Sequence, residues 1–203
     1  IPTCVDLQRF EFSNLKTNNQ KKFSCIGTII SDWFLLDWLS LFFNCVAELD
    51  KRASFEIISK DDKNTIISKL KIEKSIKRKL NIRSATPDEM PNLIAEHSAS
   101  AMFFKPDISK LGSSPTRLGE ILAIGRPIIC NSGVGDLNKL VSQNNIGIMA
   151  EKASYDSMFS AVKKLYEMIN DPYTPRKCRN FAEKYYSLNS GSKKYEEIYK
   201  NLL

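Results

Sequence analysis

Short apolar runs alternate along the chain with longer stretches in which apolar residues recur every three or four positions. That change of period predicts strands interleaved with helices. Residues 23–26 (FSCI), 54–58 (SFEII), a short run near Ile82, 101–104 (AMFF), 128–130 (IIC) and 146–149 (IGIM) read as strands. Residues 32–49 read as a helix, with Trp33, Leu36, Leu39, Phe42, Phe43 and Val46 predicted on its buried side. A second amphipathic stretch, residues 60–79, places Ile66, Ile67, Leu70 and Ile76 at roughly helical spacing among lysines, with Leu80 just beyond. Thr86, Pro87, Asp88 and Glu89 supply an N-cap, a proline at the first position and early acids, so a helix is expected from there to about His97. From Ser154 onward the pattern is helical, over 155–169, 175–186 and 192–203.

Strands alternating with helices imply βαβ units, hence an α/β fold: a Rossmann-like parallel sheet flanked by helices, with a helical C-terminal segment. Residues 1–22 are polar and irregular and read as a lead-in; 23–170 read as the sheet domain and 171–203 as helices packing on it. Ligands of such sheets bind at the carboxyl ends of the strands. Four chemically suggestive loops fall there: 27–31, 86–88, 105–114 and 131–136, the last glycine-rich with Asp136 as a helix cap. Gly27 could let backbone approach a phosphate closely; a plain turn explains it equally well.

The stretch SSPTRLGEILAIGRP, Ser113 to Pro127, carries the most chemistry. Ser114 is a good N-cap, Pro115 suits the first helical position, and Gly125 can end the helix in the left-handed conformation. The open helix start offers unpaired N–H groups and a positive dipole end to an anion such as a diphosphate. Glu120 follows one and a half turns on, where a carboxylate can accept hydrogen bonds from two sugar hydroxyls, as an acid does on ribose. Lys110, Arg117 and Arg126 are nearby cations. Arg117 in the first turn opposes the helix dipole, which points to a salt-linked or ligand-bound role. The alternative is an ordinary capped surface helix with solvated charges.

Composition narrows the classes. A chain of 203 residues with 42% hydrophobic content can bury one sizeable core. It begins Ile-Pro-Thr without an initiator Met and reads as a piece of a longer protein. No apolar run is long enough to span a membrane. The five cysteines are widely spaced with no C-x-x-C pair, as expected of reduced thiols in a cytoplasmic setting. With His97 the lone histidine, no metal site is expected, and no G-x-S-x-G elbow supports a Ser–His–Asp triad. Much of the net charge of +7 lies in residues 60–79. That stretch is either a solvated helix or a surface for anionic membrane. No nucleic-acid motif accompanies it, so no nucleic-acid partner is expected.

The segment IPTCVDLQRF (1–10) resembles the piece that joins the two halves of GT-B glycosyltransferases. Residues 113–131, SSPTRLGEILAIGRPIICN, resemble the core stretch of the retaining group-1 glycosyltransferases, and the likeness continues through GVGD (133–136) and NNIGIMA (144–150). It covers nearly the whole chain as the C-terminal, donor-binding half. The resemblance implies that Glu120 binds the ribose of a nucleotide diphosphate sugar. Ser113, Ser114, Pro115 and Thr116 would form the diphosphate-facing helix start with Arg117 beside it. Gly27 and Thr28 would belong to the glycine loop near the diphosphate, and Asp88 and Met90 would lie near the base. Two departures stand out. Gly112 occupies a position, eight residues before the ribose acid, where the family often has a Glu. The Arg and Lys that usually follow the first glycine loop are missing from SDWFLLDW. The implied function is the donor half of an enzyme of glycan or cell-surface polysaccharide synthesis, with no cofactor beyond its substrate. An N-terminal acceptor half would lie outside this chain and pack on the C-terminal helices, and the acceptor could be lipid-linked at the inner membrane face. This half alone is expected to be inactive. The alternatives are a degenerate, non-catalytic assembly module and a sugar-nucleotide epimerase of the same fold.

Overall fold

The computed structural model describes residues 1–13, 20–110, 112 and 115–202, with the side chain of Lys110 outside that set. Six strands form one sheet: β1 (Lys22–Ile26), β2 (Ser54–Ile58), β3 (Leu80–Arg83), β4 (Ala99–Met102), β5 (Ile128–Asn131) and β6 (Gly147–Ala150). All pairings are parallel and the order is β3-β2-β1-β4-β5-β6. The helices among the described residues are α1 (Leu36–Leu49), α2 (Lys63–Lys69), α3 (Lys74–Lys77), α4 (Met90–Glu96), α5 (Thr116–Ile124), α6 (Leu137–Asn144), α7 (Tyr155–Asn170), α8 (Thr174–Tyr185) and α9 (Leu188–Leu202). The Rossmann-like α/β reading holds.

Alternation along each strand sends successive side chains to opposite faces. Phe23, Cys25, Phe55, Ile57 and Ala101 join a core with α1 and α7, including Phe42, Phe43, Met158 and Leu165. Ile58, Met102, Ile128 and Cys130 join a second core with α4, α5, α6 and α8. The lead-in is polar in sequence, yet Val5 and Phe10 are buried in that second core. Arg179 of α8 fastens it, donating through Nη1 to the carbonyls of Phe10 (2.7 Å) and Ala123 (3.0 Å).

Three helices depart from the sequence pattern for visible reasons. The first begins at Leu36, four residues late, and Trp33 is exposed at 46% rather than buried. Residues ahead of it are captured by the extension of β4: Leu35 N–H donates to the Phe103 carbonyl (3.0 Å), Lys105 N–H to the Trp33 carbonyl (2.8 Å), and Phe34 bridges Phe104. The basic stretch breaks into α2 and α3. Ser40 Oγ accepts from Lys71 N–H (3.1 Å) and Asn44 Nδ2 donates to the Lys71 carbonyl (2.9 Å), so α1 holds the chain extended there. The helix expected from Thr86 opens with a 3-10 turn, Pro87–Glu89, before α4. Pro91 has no N–H to complete the first α-helical bond.

Candidate functional site

In a parallel sheet of this order the strand sequence reverses between β1 and β4, and binding crevices open at the carboxyl ends nearby. At β1, Gly27 has φ +126 and open space where a Cβ would lie, so backbone conformation rather than crowding requires glycine. Its N–H donates to the Ile58 carbonyl (2.9 Å), and Thr28 beside it is exposed. The next amides are occupied: Asp61 Oδ2 accepts from Ile29 N–H (2.7 Å), Ile30 N–H (2.9 Å) and Ser59 Oγ (2.9 Å). Burial alone would raise the Asp61 pKa, but these donors outweigh it and hold the carboxyl below its usual range.

An open cleft of about 750 Å³ lies along this edge, lined by Arg9, Lys60, Met90, Arg117, Glu120 and the turn after β3. Its wall is the start of α5. The helix runs from Thr116, with Pro115 at the N-cap rather than the first helical position. Gly125 ends it at φ +91, as the sequence predicts. Glu120, at 14% side-chain exposure, is ion-paired to Arg117 one turn back. Of the salt-linked and ligand-bound roles expected of Arg117, the ion pair to Glu120 is the one visible here. Opposite, Thr86 and Glu89 form a capping box, with Thr86 N–H (2.7 Å) and Oγ1 (2.9 Å) on Glu89 Oε2. Arg83 pairs with Glu89 (2.6 Å).

Of the residues singled out in the sequence, Met90, Arg117 and Glu120 meet in this cleft. Asp88 is exposed and pairs with the cleft residue Arg9 at 3.0 Å. Gly27 and Thr28 sit at the end of β1, and Pro115 and Thr116 at the start of α5. Ser113, Ser114 and the side chain of Lys110 lie outside the described residues. Arg126, counted among nearby cations, is instead buried at the far end of α5, donating to the Ala95 carbonyl (2.6 Å). Arg9 and Lys60 line the cleft without a local signal in sequence: one lies in the lead-in, the other opens a lysine-rich run.

Among the described residues no group of three or more His, Cys, Asp or Glu is arranged to hold a metal. His97 is fully buried against Glu56, where it has a structural role. Burial pushes the Cys130 and Cys178 thiols up to about 12, which makes them core residues rather than nucleophiles. No described helix is long and apolar enough to cross a membrane.

No family model matches the chain, and comparison with curated proteins finds no match. Its fold is nonetheless shared with solved structures. AviGT4, a glycosyltransferase involved in avilamycin A biosynthesis, superposes with a TM-score of 0.73 at 12% identity over 100% of this chain and 57% of its own. HepE from Anabaena, in complex with UDP, gives 0.73 at 11% identity over 98% of this chain and 56% of its own. WaaG, a glycosyltransferase involved in lipopolysaccharide biosynthesis, gives 0.68 at 15% identity over 94% and 54%. The chain thus has the fold of a GT-B glycosyltransferase C-terminal domain and spans a little over half the length of these proteins.

Proposed function

We propose that this chain is the donor-binding half of a glycosyltransferase and holds a nucleotide diphosphate sugar. The observation that carries the reading is the Glu120 carboxylate, paired to Arg117, in an open cleft at the carboxyl edge of a parallel sheet. Glu120 would accept hydrogen bonds from ribose hydroxyls, while its ion pair with Arg117 orients the carboxylate. The base would lie along the turn after β3, against Met90, with Asp88 behind Arg9. The start of α5, just past Pro115, would offer the N–H groups of Thr116 and Arg117 and the helix dipole to the diphosphate. Ser113, Ser114 and Lys110 belong to the same proposal. HepE, which shares the fold, has been solved with UDP and glucose bound, and that supports a nucleotide-sugar ligand.

In the proposed reaction the bond between the anomeric carbon and the diphosphate oxygen breaks, and negative charge grows on the departing diphosphate. Donors fixed around that oxygen stabilise the transition state more than the ground state. The proposed chemistry needs no metal and no protein base from this half. The acceptor would be bound by an N-terminal half, whose products would be glycans or surface polysaccharides. A cytoplasmic site, against the inner membrane face for a lipid-linked acceptor, follows from the same proposal.

Calorimetric titration of the intact protein with UDP, GDP and ADP tests the reading. One nucleotide should bind, and Glu120→Ala should weaken it by about tenfold or more, the worth of a charge-assisted hydrogen bond or two. No heat with any of them would favour the assembly module. This half alone should bind weakly and transfer nothing; turnover by it would overturn that part.

A further inference from the structure

Among the described residues that line the cleft, Arg9 and Arg117 are each matched to an acid, Asp88 and Glu120 respectively. Lys60 is different. It extends from the loop after β2, lines the same cleft, is exposed, and forms no ion pair with any described residue. Two acids follow it directly in sequence, yet neither is turned to it. Asp61 is committed to the amides of Ile29 and Ile30 and the Ser59 hydroxyl. Asp62 caps α2, accepting from Thr65 N–H (2.7 Å) and Thr65 Oγ1 (2.8 Å). The local chain therefore neutralises its own acids with N–H and O–H donors and leaves an ammonium at the cleft wall.

The loop after β1 sharpens the point. Its N–H groups at Gly27, Ile29, Ile30 and Leu35 are already given to protein oxygens. With those amides taken, side-chain cations and the start of α5 are the stronger donors for an anion in this part of the site. We propose that Lys60 is a phosphate-positioning residue, its ammonium meeting the diphosphate of the donor; the inference rests on the nucleotide-sugar reading above. A lysine is a compact point charge with three rotatable donors, suited to phosphate oxygens. Its contribution should grow with each phosphate on the ligand and shrink with salt.

The test titrates the intact protein with the nucleoside, 5′-monophosphate and 5′-diphosphate of uracil, guanine and adenine. Lys60→Met should bind the nucleoside as wild type does and the diphosphate about tenfold more weakly, one charge-assisted contact's worth at a solvated site. The deficit should narrow at high salt, and Lys60→Arg should recover most of it. Lys63→Met, an exposed lysine on α2, should change nothing. Because Lys60 is exposed, thermal unfolding of the variants should match wild type and exclude a folding defect. Three results overturn the inference. If Lys60→Met binds diphosphate as tightly as wild type, Lys60 has no phosphate role although the donor reading survives. If it weakens nucleoside and diphosphate equally, Lys60 serves the base or ribose. If wild type binds no nucleotide, this inference and the donor reading fall together.

Discussion

His97 Nε2 lies 2.8 Å from Glu56 Oε2, and both side chains are almost wholly buried on the α4 side of the sheet. Glu56 sits mid-strand in β2, flanked in register by Ser24 of β1 and Asn81 of β3. Asn81 Nδ2 donates to its other oxygen at 2.7 Å, and the Lys22 ammonium stands 3.4 Å away. Ser24 in turn pairs with Ser100 of β4 at 2.8 Å. A polar row thus crosses four strands, from exposed Asn81 on the edge strand β3 to buried Ser100 on β4. Burial alone would raise the Glu56 pKa; the hydrogen bonds from His97 and Asn81 and the Lys22 charge together bring it down to about 2. Desolvation lowers the His97 pKa despite Glu56. His97 Nδ1 is buried with no partner among the described residues, which suits a neutral ring protonated at Nε2.

This arrangement predicts acid sensitivity in two steps. Below the ordinary histidine value of 6.5 the unfolded chain takes up a proton that folded His97 refuses, so stability falls as pH drops. Below 4.5 the unfolded chain protonates Glu56, whose folded value of about 2 keeps it ionised, and stability falls further. The second step is worth about 3 kcal/mol from the size of that shift. Urea unfolding midpoints measured across this range check it. Glu56→Gln should flatten the lower step and His97→Gln the upper, each at a cost of about 2–4 kcal/mol at neutral pH. An unchanged acid slope in Glu56→Gln would refute the assignment.

Glu120 makes a prediction of a different kind. If its carboxylate meets ribose hydroxyls, the protein should prefer ribonucleotides to 2′-deoxyribonucleotides by about tenfold, one charge-assisted hydrogen bond. Glu120→Ala should erase the preference while leaving base selectivity intact. Arg117→Gln should weaken it only in part, since Arg117 orients Glu120 rather than meeting the sugar. Equal affinity for both sugars in wild type would remove Glu120 from the ribose.

The Glu120 helix was legible because its signals are local: Gly125 ends it by conformation, and the apolar run of β5 follows at once. The strand order was legible only as a class, since alternation of elements implies parallel pairing without stating the neighbours. What could not be read were contacts made at long range. Trp33 fits the α1 stripe, but pairing of residues 33–35 with the extension of β4 removes it from the helix. The amphipathic period across Leu70 is real in sequence, yet Ser40 and Asn44, on another helix, hold Lys71 extended. Arg9 reaches the cleft from a segment that looks like a polar tether, because only the fold reveals Val5 and Phe10 as its buried anchors.

Asp61 should govern the order of the loop after β1. Asp61→Ala removes a carboxylate bonded to two amides and a hydroxyl, and should cost about 2 kcal/mol. Hydrogen exchange at Ile29 and Ile30 should accelerate selectively, with β1 itself still protected. Asp61→Asn, which keeps an acceptor but not the charge, should fall between. Uniform acceleration across the sheet would mean that Asp61 stabilises the whole fold rather than this loop.

Two glycines should respond to alanine for opposite reasons. At Gly27 an added Cβ meets nothing within 4 Å, and the cost comes only from φ +126, about 1–3 kcal/mol. At Gly147 the backbone is ordinary, but a Cβ would lie 2.5 Å from the Ile128 carbonyl oxygen and 2.6 Å from Ile128 Cγ1, across the β5–β6 pairing. A side-chain tip could yield; a carbonyl committed to the sheet cannot without moving the strand. Gly147→Ala should therefore cost about 3 kcal/mol or more and loosen β6, seen as faster exchange over residues 147–150. Ile128→Ala removes the Cγ1 contact and leaves the carbonyl in place, so Gly147→Ala should remain costly in that background. Recovery of stability in the double variant would show that the side chain, not the strand backbone, excludes a methyl group at this position.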